Sequence, residues 1–320
     1  MGTPEFAVES LKKLVENQYN VVAVVTMPDK PVGRHHETLQ ASPVKQYAVA
    51  QGIPVLQPER LKDEAFLEEL RSYHADLQIV VAFRMLPEVV WAMPPMGTFN
   101  LHAALLPKYR GAAPINWAVI NGETETGVTT FFLDHDIDTG RIIHRVPAPI
   151  GEHDTVGDVY DRLMYLGADL VLKTVDDIEA GRVETVAQDE LMSNGQETSS
   201  APKLNRENTR IEWEKHTVES AYNFIRGLSP YPAAWTILRT ADGKETPLKV
   251  FFAEKEQDAL SEDHTDSSML HCPLSIINSS IRVRLRDGYL RLTDIQLAGK
   301  KRMPASDFLR GAHLDGATLV

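Results

Sequence analysis

Apolar runs of strand length and stretches of helical periodicity alternate through the first half of this chain, and that alternation leaves few folds open. The runs are Val21 to Met27, Gln78 to Phe83, Thr98 to His102 and Val128 to Leu133; the helical stretches cover about residues 6–17, 43–51, 63–73 and 155–180. Strands and helices in this order predict an α/β domain with a Rossmann-like, largely parallel sheet, whose ligand site lies at the C-terminal ends of the strands. The pattern stops near residue 185. A polar, turn-rich stretch containing Ser193-Asn194-Gly195-Gln196-Glu197-Thr198-Ser199-Ser200 reads as a linker over 185–204. Beyond it come one amphipathic helix near Val218 to Leu228 and several short strands separated by Gly, Pro and Asp, which suits a small β-barrel. The chain therefore divides into a first domain at 1–184, a linker and a second domain at 205–320, and its 320 residues suffice for two cores.

The run Thr98 to His102 ends where the fold rule places a ligand site. Side chains alternate along a strand, so Asn100 and His102 share one face while Phe99 and Leu101 point into packing. An Asn amide is a neutral donor suited to a developing oxyanion, and imidazole is the group whose proton moves most easily near neutral pH. Asp138, between Ile137 and the turn residues Thr139 and Gly140, offers a carboxylate to orient or charge-balance that ring. Two polar residues at a strand end also suit the plainer role of capping a loop or facing water. No Ser or Cys nucleophile accompanies the three, so a substrate nucleophile attacking a bound carbonyl directly is expected rather than a covalent enzyme intermediate.

Several chemistries lack their motifs. There is no Gly-x-Gly-x-x-Gly, no Gly-x-x-x-x-Gly-Lys-Ser/Thr and no His-Glu-x-x-His. The lone cysteine, Cys272, rules out a disulfide framework and a Cys-based zinc site, and is expected to be passive. His35 and His36 are adjacent, so on a strand they point apart, and no metal is expected. Without a signal-peptide layout or an apolar run of membrane-spanning length, a cytoplasmic, membrane-free protein is expected.

The net charge of −12 argues weakly against a nucleic-acid partner until it is divided. Residues 201–320 hold 17 Lys+Arg against 16 Asp+Glu, whereas the first 200 hold 16 against 29. The second part contains Arg282, Arg284 and Arg286 alternating with aliphatics, then Arg291, Lys300, Lys301 and Arg302. From charge pattern alone this fits a phosphate-binding stripe and a solubilising face on a half-buried strand equally well.

The run from Asn100 to Asn116, Gly122 to Thr130 and Ile137-Asp138-Thr139-Gly140 together resemble the folate-dependent formyltransferases, and within that group the members acting on methionyl-tRNA. The resemblance extends, in order, through Gly2-Thr3-Pro4-Glu5-Phe6-Ala7, Pro28 to Arg34, Ser42 to Lys45, Gly52 to Pro58, Val80 to Pro87 and Leu297 to Met303. It implies transfer of a formyl group from 10-formyltetrahydrofolate to the α-amine of methionine on initiator tRNA, in translation initiation, by a monomer without metal. It also implies that the second domain is an OB-like barrel binding tRNA.

On that resemblance Asn100 donates to the formyl oxygen, and His102 stabilises the oxyanion or moves the proton between amine and folate nitrogen. Asp138 sets the state of the imidazole and holds a water. The tetrahydrofolate lies against Arg84, Met85, Leu86, Pro87, Leu105, Pro107, Asp134 and His135, backbone edges pairing with the pterin. The tRNA acceptor end meets Arg34, and the stripe of Arg282, Arg284, Arg286, Lys300, Lys301 and Arg302 serves the rest.

Three departures matter. The strand usual before Gly-Thr-Pro is absent, so either the start is assigned too late or the sheet carries an open slot. Ala104 replaces a Ser, and His35-His36-Glu37 replaces more basic residues. A formyltransferase for a sugar nucleotide, a purine or another small amine would share Asn100, His102 and Asp138 without needing the basic stripe. A formyltetrahydrofolate hydrolase would use water as acceptor, and a non-catalytic RNA-binding protein could lose the trio.

Overall fold

The computed structural model describes residues 1–32, 38–256, 272–277, 280–312, 314 and 316–320. They fall into two compact units, one of residues 1–114, 125–149 and 160–202, the other of 115–124, 150–159 and 203–320.

The first unit opens with α1 (Glu5–Glu16), which buries Phe6, Ala7, Leu11 and Leu14 at spacings of one helix face and carries Glu5 and Lys13 at the dipole ends that favour them. Then follow β1 (Val24–Val25), β2 (Lys30–Val32), β3 (Thr38–Gln40) and α2 (Pro43–Ala50). Ser42 caps α2 by accepting from the Lys45 amide, with Pro43 at the first helical position, where its missing N–H costs nothing. Next come β4 (Val55–Leu56), α3 (Glu64–Ser72), capped by Asp63, β5 (Gln78–Val81), α4 (Glu88–Trp91), β6 (Thr98–His102) and β7 (Arg110–Gly111). α5 (Pro114–Ile120), β8 (Glu125–Phe132), β9 (Ile142–Pro149), α6 (Val156–Glu179), α7 (Gln188–Ser193) and β10 (Ser200–Ala201) complete this half of the chain.

Each strand and helix expected from periodicity is present, and the sheet is parallel where helices connect its strands. β1 pairs with β4 and β5 with β6 in parallel. The parallel character ends at β8 and β9, which join antiparallel to β6 and to each other; β8 and β9 are linked by a loop without a helix, as an antiparallel pair allows. Val25, Leu56, Phe66, Leu67, Leu70, Val80, Leu86 and Val90 form the core between β1, β5 and α3.

Met1 and Gly2 run between β1 and β5. The Gly2 amide donates to the Val25 carbonyl (3.0 Å), Val81 donates to the Met1 carbonyl (2.9 Å), and the Met1 amino group donates to the Ile79 carbonyl (2.6 Å). Burial pushes that amino group down to about 5. Only glycine fits at position 2, since a Cβ would lie 2.7 Å from the Val81 carbonyl oxygen. Beside these residues a cavity of about 360 Å³ is lined by Leu11, Leu14, Val24, Val44 and Ile79 among others.

The polar stretch at 185–202 carries α7 and β10 and packs within the first unit. Val186 exchanges two backbone hydrogen bonds with Ile142, and β10 pairs in parallel with β7.

In the second unit, α8 (Val218–Leu228) starts at a capping box in which Thr217 and Ser220 satisfy each other's amides. It is followed by β11 (Ala234–Arg239), β12 (Glu245–Glu256), β13 (Cys272–Ile277), β14 (Ser280–Leu285), β15 (Gly288–Leu297), β16 (Met303–Pro304), α9 (Ala305–Leu309) and β17 (Thr318–Leu319). The strands lie in the order β12-β11-β17-β13-β14-β15-β16, all antiparallel, and an added β12–β15 pairing curls the sheet back on itself. Ile225, Leu228, Leu248, Val250, Ile281, Val283, Leu290 and Leu292 fill its interior. Arg226 is buried on α8, where its guanidinium donates to Asn223 Oδ1 (2.7 Å) and to the Asp154 carbonyl (2.8 Å); burial lowers its pKa.

Candidate active site

β6 is held between β5 and β8, so its side chains have fixed directions. Phe99 and Leu101 are buried in the core, while Asn100 and His102 occupy the other face, as period-two alternation requires. His102 is 5% exposed. Its Nε2 stands 2.8 Å from the Tyr109 carbonyl oxygen and so carries the proton there. Its Nδ1 lies 3.7 Å from Asp138 Oδ2, and the Phe131 ring meets the imidazole edge-on. In the neutral ring Nδ1 is bare and faces a carboxylate. A proton taken up at Nδ1 therefore completes an imidazolium with an acceptor on each side.

Asp138 sits in the left-handed region, at φ +56°, and its Oδ2 accepts from the Gly111 amide at 2.8 Å. Residues 109–111 thus supply one partner to His102 and one to Asp138. Asn100 is half-buried, and its Oδ1 is fully buried with no hydrogen-bond partner among the described residues. A buried polar atom left unsatisfied costs on the order of 1–3 kcal/mol, and such atoms mark places where a ligand completes the bonding.

The other expected ligand contacts take varied positions. Arg84 donates to the carbonyls of Glu59 (2.8 Å) and Pro58, and its charge lies 5.6 Å from the Phe83 ring centroid. Met85 is 75% exposed, whereas the Leu86 side chain belongs to the core, which leaves only backbone for a ligand there. The Pro87 backbone starts α4. The Pro107 carbonyl accepts from Thr198 Oγ1 (3.1 Å), and Leu105 packs against Gly127. Asp134 Oδ1 takes bonds from the Asp136 amide and the Thr139 hydroxyl (3.2 and 2.7 Å), folding the loop 134–139 on itself. His135 is exposed at its tip, with Glu88 3.8 Å away and Trp91 against its ring.

Of the expected tRNA contacts, Arg34 lies outside the described residues. On β14 the arginines face outward and Ile281, Val283 and Leu285 inward, as the alternation predicts. Several cations are already engaged. Arg282 pairs with Glu256 at 2.8 Å, and Arg302 makes two bonds to Asp294 (2.9 and 2.6 Å) with its charge 4.2 Å from the Phe251 ring centroid. Arg286, Lys300 and Lys301 are exposed. Among the described residues no three His, Cys, Asp or Glu side chains cluster as a metal site, and no helix is long and apolar enough to cross a membrane.

Sequence reasoning missed the residues that hold the trio: the Tyr109 carbonyl, the Gly111 amide, Arg110 and Gln188. The first three lie inside the run from Asn100 to Asn116, so their signal was proximity. Gln188 has no signal in the sequence at all, since it sits in a polar stretch without apolar periodicity.

The Formyl transferase family model matches residues 1–175, and the model for the formyl transferase C-terminal domain matches residues 203–313. A methionyl-tRNA formyltransferase of Parabacteroides distasonis is 59% identical over 311 residues, covering 97% of this chain and 94% of that protein. One from Phocaeicola vulgatus is 59% identical over 315 residues, with 97% and 94% covered. Among solved structures, the sugar 3N-formyl transferase WlaRD, crystallised with dTDP and 5-N-formyl-THF, superposes with a TM-score of 0.62 at 19% identity, covering 94% of this chain and 97% of that one. An N-formyltransferase of Helicobacter canadensis, in complex with folinic acid and dTDP-3-aminofucose, gives 0.61 at 21% identity over the same shares, 94% and 97%. These two likenesses establish the fold, and the identity of the first two relatives, sustained along almost the whole chain, places it more narrowly: it belongs to the methionyl-tRNA formyltransferase family.

Proposed function

We propose that this chain transfers the formyl group of 10-formyltetrahydrofolate to the α-amino group of methionine esterified to initiator tRNA, as a cytoplasmic monomer serving translation initiation. The observation that carries the reading is the 59% identity to a methionyl-tRNA formyltransferase across 97% of the chain. The folate supplies an activated formyl carbon when bound. The buried Oδ1 of Asn100, without a hydrogen-bond partner among the described residues, is an acceptor, so it fits a ligand that brings an N–H there, as the attacking amine or the folate would, and leaves the amide N–H for the formyl oxygen.

Asn100 then donates where negative charge develops on the formyl oxygen, a contribution whose loss typically costs about 10²–10³ in rate. His102 takes the proton that the attacking amine must lose, and Nδ1 is the atom for it, since Nε2 is committed to the Tyr109 carbonyl. Asp138 balances the resulting charge from 3.7 Å. Arg84, Met85, Leu86, Pro87, Leu105, Pro107, Asp134 and His135 line the folate side, mostly through backbone. The curled second unit acts as an OB-like barrel for tRNA, with Arg282, Arg284, Arg286, Lys300, Lys301 and Arg302 as its candidate phosphate contacts, and Arg34 of the first unit meets the acceptor end.

The test is formylation of charged initiator tRNA by 10-formyltetrahydrofolate, run beside an amino-sugar nucleotide and water as acceptors. Formylmethionyl-tRNA as the main product supports the assignment; turnover confined to the sugar nucleotide or to water overturns it.

A further inference from the structure

We propose that Gln188 is a positioning residue for formyl transfer, holding the Asp138 carboxylate at its station beside His102; the inference rests on the function proposed above. Gln188 is the first residue of α7, 2% exposed, and lies between the segments matched by the two family models. Its amide spends all its capacity. Nε2 donates to the carbonyls of Asp138 and Gly140, both at 2.9 Å, and Oε1 accepts from Arg110 Nε and Nη2 at 3.0 and 2.7 Å.

One side chain thereby ties together the two loops that flank the imidazole. Residues 109–111 give His102 its Nε2 partner and Asp138 its amide donor; residues 138–140 carry the carboxylate. The tie has a conformational task, because Asp138 is a non-glycine residue at φ +56°, a state that costs on the order of 1 kcal/mol and persists only where neighbours enforce it. Two neighbours do so. The Gly111 amide holds the side chain, and Gln188 holds the backbone carbonyl. Without Gln188 the backbone is free to relax toward negative φ, which swings the carboxylate away from Nδ1. α7 is itself anchored, through the two backbone bonds between Val186 and Ile142.

Gln188→Met keeps the length and volume of the side chain and removes all four hydrogen bonds. Gln188→Glu keeps the bonds from Arg110 but sets an acceptor against two carbonyls. A displaced group of this kind costs about 10- to 100-fold in turnover. The expected result for both variants is that loss in kcat, with KM for tRNA and for folate within about twofold of wild type. If Gln188 acts through Asp138, Gln188→Met costs nothing further in an Asp138→Ala background. A kcat within twofold of wild type, or an equal fold-loss on top of Asp138→Ala, overturns the proposal. Should Gln188→Met fail to fold, Gln188→Glu reads the same split. A wild-type chain that does not formylate the tRNA sinks the functional reading instead, so the two failures are told apart.

Discussion

His102 is gripped from two sides, a neutral carbonyl at Nε2 and a carboxylate facing Nδ1, and this asymmetry assigns the mobile proton to one atom. Replacing any member of the trio should remove most of kcat while the protein stays folded, although the His102 variant also gives up the edge-on contact with Phe131. Asn100→Ala should cost about 10²–10³, the usual price of one oxyanion donor. Steady-state turnover with circular dichroism as a fold check decides it, and near-wild-type turnover in any variant removes that residue from the mechanism. Asp177 is a carboxylate with a different task. It accepts from Lys173, from Arg182 (3.0 Å) and from His144 (2.9 Å), and the Lys173 bond foremost, then Arg182, hold it down to about 2. A carboxyl whose folded pKa lies below its unfolded value stabilises the fold at any pH above the unfolded range near 4, and that stabilisation fades as pH falls toward 2. Asp177→Asn should therefore lower the melting temperature at pH 7, with the gap to wild type closing near pH 2. A gap that stays constant with pH would assign the effect to packing.

Elements with a burial period were legible in the sequence, and elements held by hydrogen bonds between loops were not. α1 and α3 bury residues at regular spacing, so periodicity found them; β6 is buried on both faces and showed as a short strand-type run, and the face shared by Asn100 and His102 followed from the pleat alone. β9 and the pair α7 and β10 escaped. β9 buries only Ile142, Ile143 and Ala148 among eight residues, and α7 stays in place through Gln188 rather than through an apolar stripe. Polar side chains that bond to backbone leave no period to read. The loop from β8 to β9 shows how tightly such an element is built. An added Cβ at Gly140 would lie 1.7 Å from the Phe132 carbonyl oxygen, closer than any backbone shift inside the loop could absorb. Gly140→Ala should force residues 134–140 away from β8, lowering the melting temperature by the equivalent of about 1–3 kcal/mol and reducing turnover together with it. An alanine variant that melts and turns over as wild type would mean the loop has slack that the geometry denies.

Taken whole, the chain is acidic, yet it is proposed to hold an RNA, so its salt response is diagnostic. Seven cations were candidates for phosphate, and the structure sorts them. Arg282 and Arg302 are paired with Glu256 and Asp294, and Arg291 beside them with Glu254 and Glu256. Moving such a pair onto RNA exchanges one anion for another and releases no net counterion. Arg284 has a partner as well. Arg286, Lys300 and Lys301 are exposed and have no ion pair among the described residues; Arg34 lies outside the described residues and stands as a fourth candidate on the resemblance alone. Each phosphate neutralised by a free cation contributes about −0.7 to −0.9 to the slope of log affinity against log salt. Four contacts give a slope of about −3, and all seven would give about −5 to −6. Measured for charged initiator tRNA, the slope should fall near the smaller magnitude. Lys300→Ala with Lys301→Ala should flatten it by roughly two, with little change in melting temperature. Arg302→Ala should do the reverse, leaving the slope nearly unchanged and costing stability, because it removes the bonds to Asp294 and the stacking on Phe251. A steep slope in wild type, with Arg302→Ala flattening it, would mean that tRNA breaks the ion pairs and that the stripe read from the sequence engages as a unit.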